Sequence, residues 1–149
     1  MINRASKPTV LIIPGSFSPA TLYHGIVEDL TRSGFEATVY DLPSASRLPP
    51  QAAATLAEDA AYFHDITKKL ADESKEVVLV AHSYGGIVAS ECVEGLSEAE
   101  RQAAGKPGAV VRIIYLTSVI APLGDSLRSV CGDGLPAFLR LDVRHWLHS

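Results

Sequence analysis

Short apolar runs recur along the chain with amphipathic stretches between them. Thr9-Val10-Leu11-Ile12-Ile13 is continuously apolar and β-branched and stops at Pro14-Gly15, the pattern of a strand buried on both faces. Residues 36–40 form a second such run, Val77-Val78-Leu79-Val80-Ala81 a third and the clearest, and residues 109–116 a fourth. Between the first two, Ser18-Pro19 offers a helix start, and Leu22, Tyr23, Ile26, Val27 and Leu30 recur at helical spacing until Ser33-Gly34. Residues 41–50, with Pro43, Pro49 and Pro50, predict a loop. Residues 51–72 predict a second helix, because Leu56, Ala60, Phe63, Thr67 and Leu70 follow the 3.6 period. A third is expected over 87–96, and residues 97–108 read as a polar connection.

Strands of buried type alternating with helices predict the α/β class. The expected form is a three-layer αβα sandwich with a mainly parallel sheet, helices on both faces and right-handed crossovers. At 149 residues the chain fits a single domain, 1–149, with no internal repeat. Hydrophobic residues at 47% and charged residues at 20% are the balance of a soluble globular protein. A net charge of −4 provides no basic footprint, which argues against nucleic acid as a partner.

Cys92 and Cys131 are far apart and belong to no C-x-x-C pair, so neither a metal site nor a disulfide is expected from them. The N-terminus has no apolar segment of signal type, and no run reaches the ~18 residues of a membrane span, so the expected address is cytosolic and no membrane partner is expected. The first strand is followed by Pro14-Gly15-Ser16-Phe17-Ser18-Pro19, which lacks the G-x-G-x-x-G of a dinucleotide site. No cofactor is called for.

Chemistry concentrates at Ala81-His82-Ser83-Tyr84-Gly85-Gly86. A nucleophilic serine has to be thrust out at a sharp strand-to-helix turn, and such a turn tolerates only small residues two positions either side, here Ala81 and Gly85. The spacing also puts Ser83 at a helix N-terminus, where free amides and the helix dipole favour developing negative charge.

These residues resemble the α/β-hydrolase superfamily, and within it the esterase and hydroxynitrile-lyase branch typified by plant methylesterases. The resemblance covers residues 7–123. It rests on Val10-Leu11-Ile12-Ile13-Pro14-Gly15-Ser16, on the run from Gly34 to Pro43, on Val77 through Gly86, and on Ile114-Tyr115-Leu116-Thr117-Ser118. It implies that Ser83 is the nucleophile, that the amides of Ser16 and Tyr84 form the oxyanion hole, and that Ala81, Gly15, Gly85 and Gly86 shape the elbow and its loop. Pro14 stands where the family usually has His, which leaves the donor amide intact but changes what braces the loop.

In that family the acid and then the His of the triad follow the nucleophile. Only residues 117–149 follow the fourth strand here, and 124–149 resemble the start of a substrate cap or an irregular tail, so the fold is expected to lack the last strands. Asp125 occupies a position some hydrolases use for the acid, yet Gly124-Asp125-Ser126 reads equally as a turn or helix cap. Asp41 and Asp133 read as loop residues. Among the histidines, His82 is expected to point away from Ser83 in a packing or hydrogen-bonding role, His24 and His64 to be solvated or boundary residues, and His145 and His148 to lie in a segment matching no motif.

The resemblance therefore implies a serine hydrolase acting on a small-molecule carboxylic ester, thioester or lactone through an acyl-enzyme, with hydroxynitrile-lyase activity as a variant. The opposing expectation is a truncated, non-catalytic homologue, since a triad without its His loses on the order of 10⁶ in kcat. The fourth strand is expected to be an exposed edge open to self-association.

Overall fold

The computed structural model describes residues 7–122 and 124–132. In chain order these form β1 (Thr9–Ile13), a 3-10 turn (Ala20–Tyr23), α1 (His24–Arg32), β2 (Ala37–Val39), α2 (Pro43–Ser46) and α3 (Leu56–Asp72). They continue as β3 (Glu76–His82), α4 (Gly85–Cys92), α5 (Glu98–Ala103), β4 (Ala109–Leu116) and α6 (Leu127–Cys131). The strands make one parallel sheet in the order β2-β1-β3-β4.

Both faces of the sheet are apolar, as the unbroken strand sequences require. Alternate residues of β1 divide between two clusters. Leu11 and Ile13 pack with Leu79, Phe63 of α3 and Val88 of α4 on one face, whereas Val10 and Ile12 pack with Tyr23, Val27 and Leu30 on the other. Helices thus cover both faces in three layers. Among the described residues, no helix is long and apolar enough to cross a membrane.

The helices depart from the sequence pattern at their ends. Residues 41–50 are not wholly irregular: Pro43 at the first helical position starts α2, and the fully buried Leu42 anchors it. The helix predicted from residue 51 begins at Leu56, because the Thr55 hydroxyl and the Glu58 side chain close a capping box there. A second box, Ser97 with Glu100, nucleates α5 inside the expected polar connection. The first predicted helix divides into the 3-10 turn and α1, and its apolar stripe is only partly buried: Leu22 is 70% exposed while Tyr23 is 7% exposed. The helix expected over 87–96 runs from Gly85 to Cys92.

Arg101, 1% exposed, is why α5 docks. Its guanidinium donates to the Gly108 carbonyl at 3.0 Å, the Pro107 carbonyl at 2.5 Å and Asp72 of α3 at 2.8 Å, tying the entrance of β4 to the end of α3. β4 itself is the edge of the described sheet, with Val111, Ile114, Tyr115 and Leu116 between 37% and 43% exposed.

Removing the Arg101 side chain takes the donor from two part-buried carbonyls and from Asp72 and opens a cavity, so Arg101→Ala is expected to cost about 2–4 kcal/mol in urea denaturation; a loss below about 1 kcal/mol would contradict the pinning role. Acid should also destabilise the fold. Hydrogen bonds from Lys68 and then Arg101 hold Asp72 below its ordinary 3.8, and the hydrogen bond from Lys75 holds Glu36 below its ordinary 4.5. Depressed folded-state values contribute stability above the ordinary pKa and lose it as pH falls through the folded one. The melting temperature should therefore drop below about pH 4, as a pH series of thermal scans would show.

Candidate active site

β3 ends at His82 and α4 begins at Gly85, so Ser83 and Tyr84 alone turn the chain. Ser83 takes φ +52°, the left-handed region that non-glycine residues rarely enter and that costs about 1–3 kcal/mol. Neighbouring backbone holds it there. The Ser83 amide donates to the Leu116 carbonyl at 3.2 Å, and the Ser83 carbonyl accepts from the amides of Gly86 and Val119, both at 3.0 Å. The Ser118 hydroxyl adds a 2.6 Å bond to the Ala81 carbonyl.

Close approach explains the small residues. A β-carbon on Gly85 would lie 2.5 Å from the Ile13 carbonyl oxygen and 2.6 Å from that of Pro14. One on Gly86 would lie 2.6 Å from both the Ser118 β-carbon and the Val119 oxygen. Ala81 is fully buried.

The loop after β1 lies directly beside Ser83. Ile13 pairs with Ala81 across the sheet, so Gly15 and Ser83 both stand two residues beyond a matched pair. A β-carbon on Gly15 would sit 3.1 Å from the Ser83 β-carbon and 3.0 Å from His82 Nδ1. The amides of Ser16 and Tyr84 donate to no described group.

Tyr23 supplies the brace that Pro14 cannot. Its hydroxyl accepts the buried Gly15 N–H at 2.9 Å and lies 2.8 Å from His82 Nδ1. The direction of the contact between the phenol and His82 Nδ1 follows the imidazole tautomer. His82 thus steadies the loop and is not bonded to Ser83. Asp41, just beyond β2, fastens the start of the 3-10 turn, its Oδ1 accepting the Ala20 amide at 2.6 Å.

Tyr84 is tethered on its other side. Its phenol donates to Asp59 Oδ2 at 2.8 Å, and Asp59 Oδ1 accepts the Ser44 amide of α2 at 2.8 Å. Burial first, and the hydrogen bond to Asp59 next, push the Tyr84 phenol far above the ordinary tyrosine range. Sequence reasoning missed Asp59, although the signal existed: a carboxylate at i+3 from Leu56, beside Ala60, interrupts an otherwise apolar helix face.

No histidine or carboxylate among the described residues hydrogen-bonds the Ser83 hydroxyl. Asp125 is exposed, its amide closing a turn onto the Pro122 carbonyl at 3.0 Å, and Ser126 next to it caps α6. The Asp125 side chain lines a groove of about 470 Å³ with Ile87, Ser90 and Glu91 of α4, and that groove includes neither Ser83 nor Gly15. His24 is exposed, and His64 Nδ1 donates to the Cys92 carbonyl at 2.9 Å, joining α3 to α4. Cys92 is a free, buried thiol pushed up to about 12 by burial, hence inert. Asp133, His145 and His148 lie outside the described residues.

Comparison with known proteins gives the family and the fold. The alpha/beta hydrolase family model matches residues 10–148. The alpha/beta hydrolase nvfD of Aspergillus novofumigatus is 39% identical over 121 residues, covering 81% of this chain and 47% of that protein. A protein of Phoma sp. designated a probable hydrolase is 35% identical over 127 residues, covering 85% of this chain and 49% of its own length. The chain thus spans about half the length of the curated relatives it matches. Among solved structures, an extracellular alpha/beta-hydrolase from a Paenibacillus species superposes with a TM-score of 0.54 at 22% identity, covering 78% of this chain and 43% of that one. That protein is described as sharing structural and functional homology with tobacco salicylic acid binding protein 2. A family match running almost from β1 to the last residue, over a parallel sheet with a strained serine at a strand-to-helix turn, leaves one conclusion: this chain belongs to the alpha/beta hydrolase family.

Proposed function

We propose that the chain carries the nucleophile and oxyanion-binding part of a serine hydrolase acting on a small carboxylic ester, thioester or lactone. The observation that carries this reading is Ser83 itself, strained at φ +52° between β3 and α4 and flanked by the uncommitted amides of Ser16 and Tyr84. The Ser83 hydroxyl would attack the carbonyl carbon as a base takes its proton, and the carbonyl π electrons would move onto oxygen. Donors aimed at that oxygen stabilise the tetrahedral intermediate. Collapse expels the alcohol or thiol with the proton, leaving an acyl-Ser83 that water hydrolyses by the same steps to a carboxylate and free serine.

The base has to come from outside the described residues. The matched stretch covers about half of each curated relative, which supports the reading that the catalytic set draws on more than the described residues. The likeness to a structure described as homologous to tobacco salicylic acid binding protein 2 favours the methylesterase-like branch. Cys92, free and buried, favours the cytosolic address over an oxidising one. The absence of a described partner for the Ser83 hydroxyl favours the competing reading of an inert homologue.

A serine-directed fluorophosphonate separates the two. Labelling of the folded protein, abolished in Ser83→Ala, is the expected result; no adduct by intact mass on folded wild-type chain would favour the inert reading. Tyr23→Phe, which removes the hydroxyl bonded to Gly15 and His82, should slow labelling about tenfold or more.

We further propose that the exposed β4 edge pairs with a second copy of this chain. Sedimentation velocity should show association rising with concentration, weakened by Ile114→Lys, because a charge on an edge strand disfavours pairing. A wild-type chain that stays monomeric throughout would rule the pairing out.

A further inference from the structure

We propose that Asp59 is a positioning residue: by holding the Tyr84 phenol it orients the Ser83–Tyr84 peptide and with it the Tyr84 amide. The inference rests on the reading of that amide as an oxyanion donor.

Asp59 is fully buried on α3, and burying a carboxylate is costly unless hydrogen bonds replace its water. No ion pair among the described residues involves it. Its two oxygens are instead divided, one to the Ser44 amide and one to the Tyr84 phenol, each at 2.8 Å. If this position served only to fill space beside Ala60 and Phe63, an apolar side chain would do it at less cost. The division of its two acceptors points to a tether between α2, α3 and the turn at Ser83.

The tether acts on a particular peptide. A trans peptide is planar, so fixing its carbonyl fixes its N–H in the opposite direction. The Ser83 carbonyl accepts from Gly86 and Val119, which aims the Tyr84 N–H away from both. Those bonds leave the plane free to rock about the carbonyl end. The Tyr84 side chain has only two rotatable bonds to its ring, and its far end is bonded to a buried carboxylate, so it resists that motion. The raised ionisation of the phenol keeps its proton in this bond throughout the range in which a hydrolase works.

The test uses Asp59→Asn and Tyr84→Phe, with benzoate as probe because a carboxylate oxygen can occupy the place of the oxyanion without any activated serine. In amide nitrogen–proton spectra, benzoate should shift the Ser16 and Tyr84 resonances of the wild-type chain. Each variant should shrink the Tyr84 response, raise the benzoate dissociation constant and slow fluorophosphonate labelling by about ten- to a hundredfold. If Asp59→Asn does not fold, Tyr84→Phe, which keeps every ring carbon, decides alone. An unchanged Tyr84 response in the folded variant, or none in the wild type, overturns the role of Asp59. A benzoate response that the variants weaken, in a chain that never labels, upholds Asp59 and instead sinks the hydrolase reading.

Discussion

The left-handed turn at Ser83 exists because α4 can be pressed against the end of β1. Gly85 is what permits it: any β-carbon there would collide with the carbonyl oxygens of Ile13 and Pro14. That contact lets the chain reverse from strand to helix in two residues, which throws the serine side chain out of the sheet. The strain at φ +52° is offset locally, by three backbone hydrogen bonds on the Ser83 amide and carbonyl and by Ser118 bonding Ala81. Two of the three backbone partners, Leu116 and Val119, belong to β4 and the segment after it. The turn is therefore a property of β1, β3 and β4 together, and not of a sequence motif alone.

Around that turn the fold places two tyrosines with matching duties. Tyr23, from the face covered by α1, holds the loop at Gly15, and His82 completes its hydrogen bonding. Tyr84, reaching to the opposite face, is itself held by Asp59 of α3 and through it by the start of α2. A phenol suits both tasks, since it spans a long distance with few rotors and has one donor and one acceptor at its tip. Neither His82 nor Asp59 hydrogen-bonds the Ser83 hydroxyl. They fix geometry and leave reactivity to other groups.

What the sequence made legible follows from physics that is local. β1 and β4 were delimited to the residue because buried parallel strands are unbroken apolar runs bounded by breakers. The small residues at 81 and 85 announced the turn. The misses are of another kind. α2 was hidden because Pro43 and its serines look like loop chemistry until buried Leu42 and Asp59 supply tertiary support. α5 and the true start of α3 were encoded in the capping boxes at Ser97 and Thr55, signals that composition and apolar period do not register. Asp59 and the Tyr23 hydroxyl act through partners 25 and 59 positions away, a separation that no pattern along the chain reveals.

The register of the sheet shows why Gly15 and Ser83 meet while Asp125 does not join them. Parallel pairing of Ile13 with Ala81 carries forward two residues on each strand and sets Gly15 against Ser83. Ser83 and the amides of Ser16 and Tyr84 consequently arise from the segments 14–16 and 83–84, which strand pairing brings side by side. A base has no such guarantee: it must arrive on a segment whose position depends on elements packed later and farther away. Asp125 illustrates the difference, for although it follows β4 its amide closes a turn and the residue lines a groove along α4. In the proposed hydrolase reading, electrostatic preorganisation is thus the part of the chemistry that strand pairing favours, and general-base catalysis is the part that only longer-range packing can add.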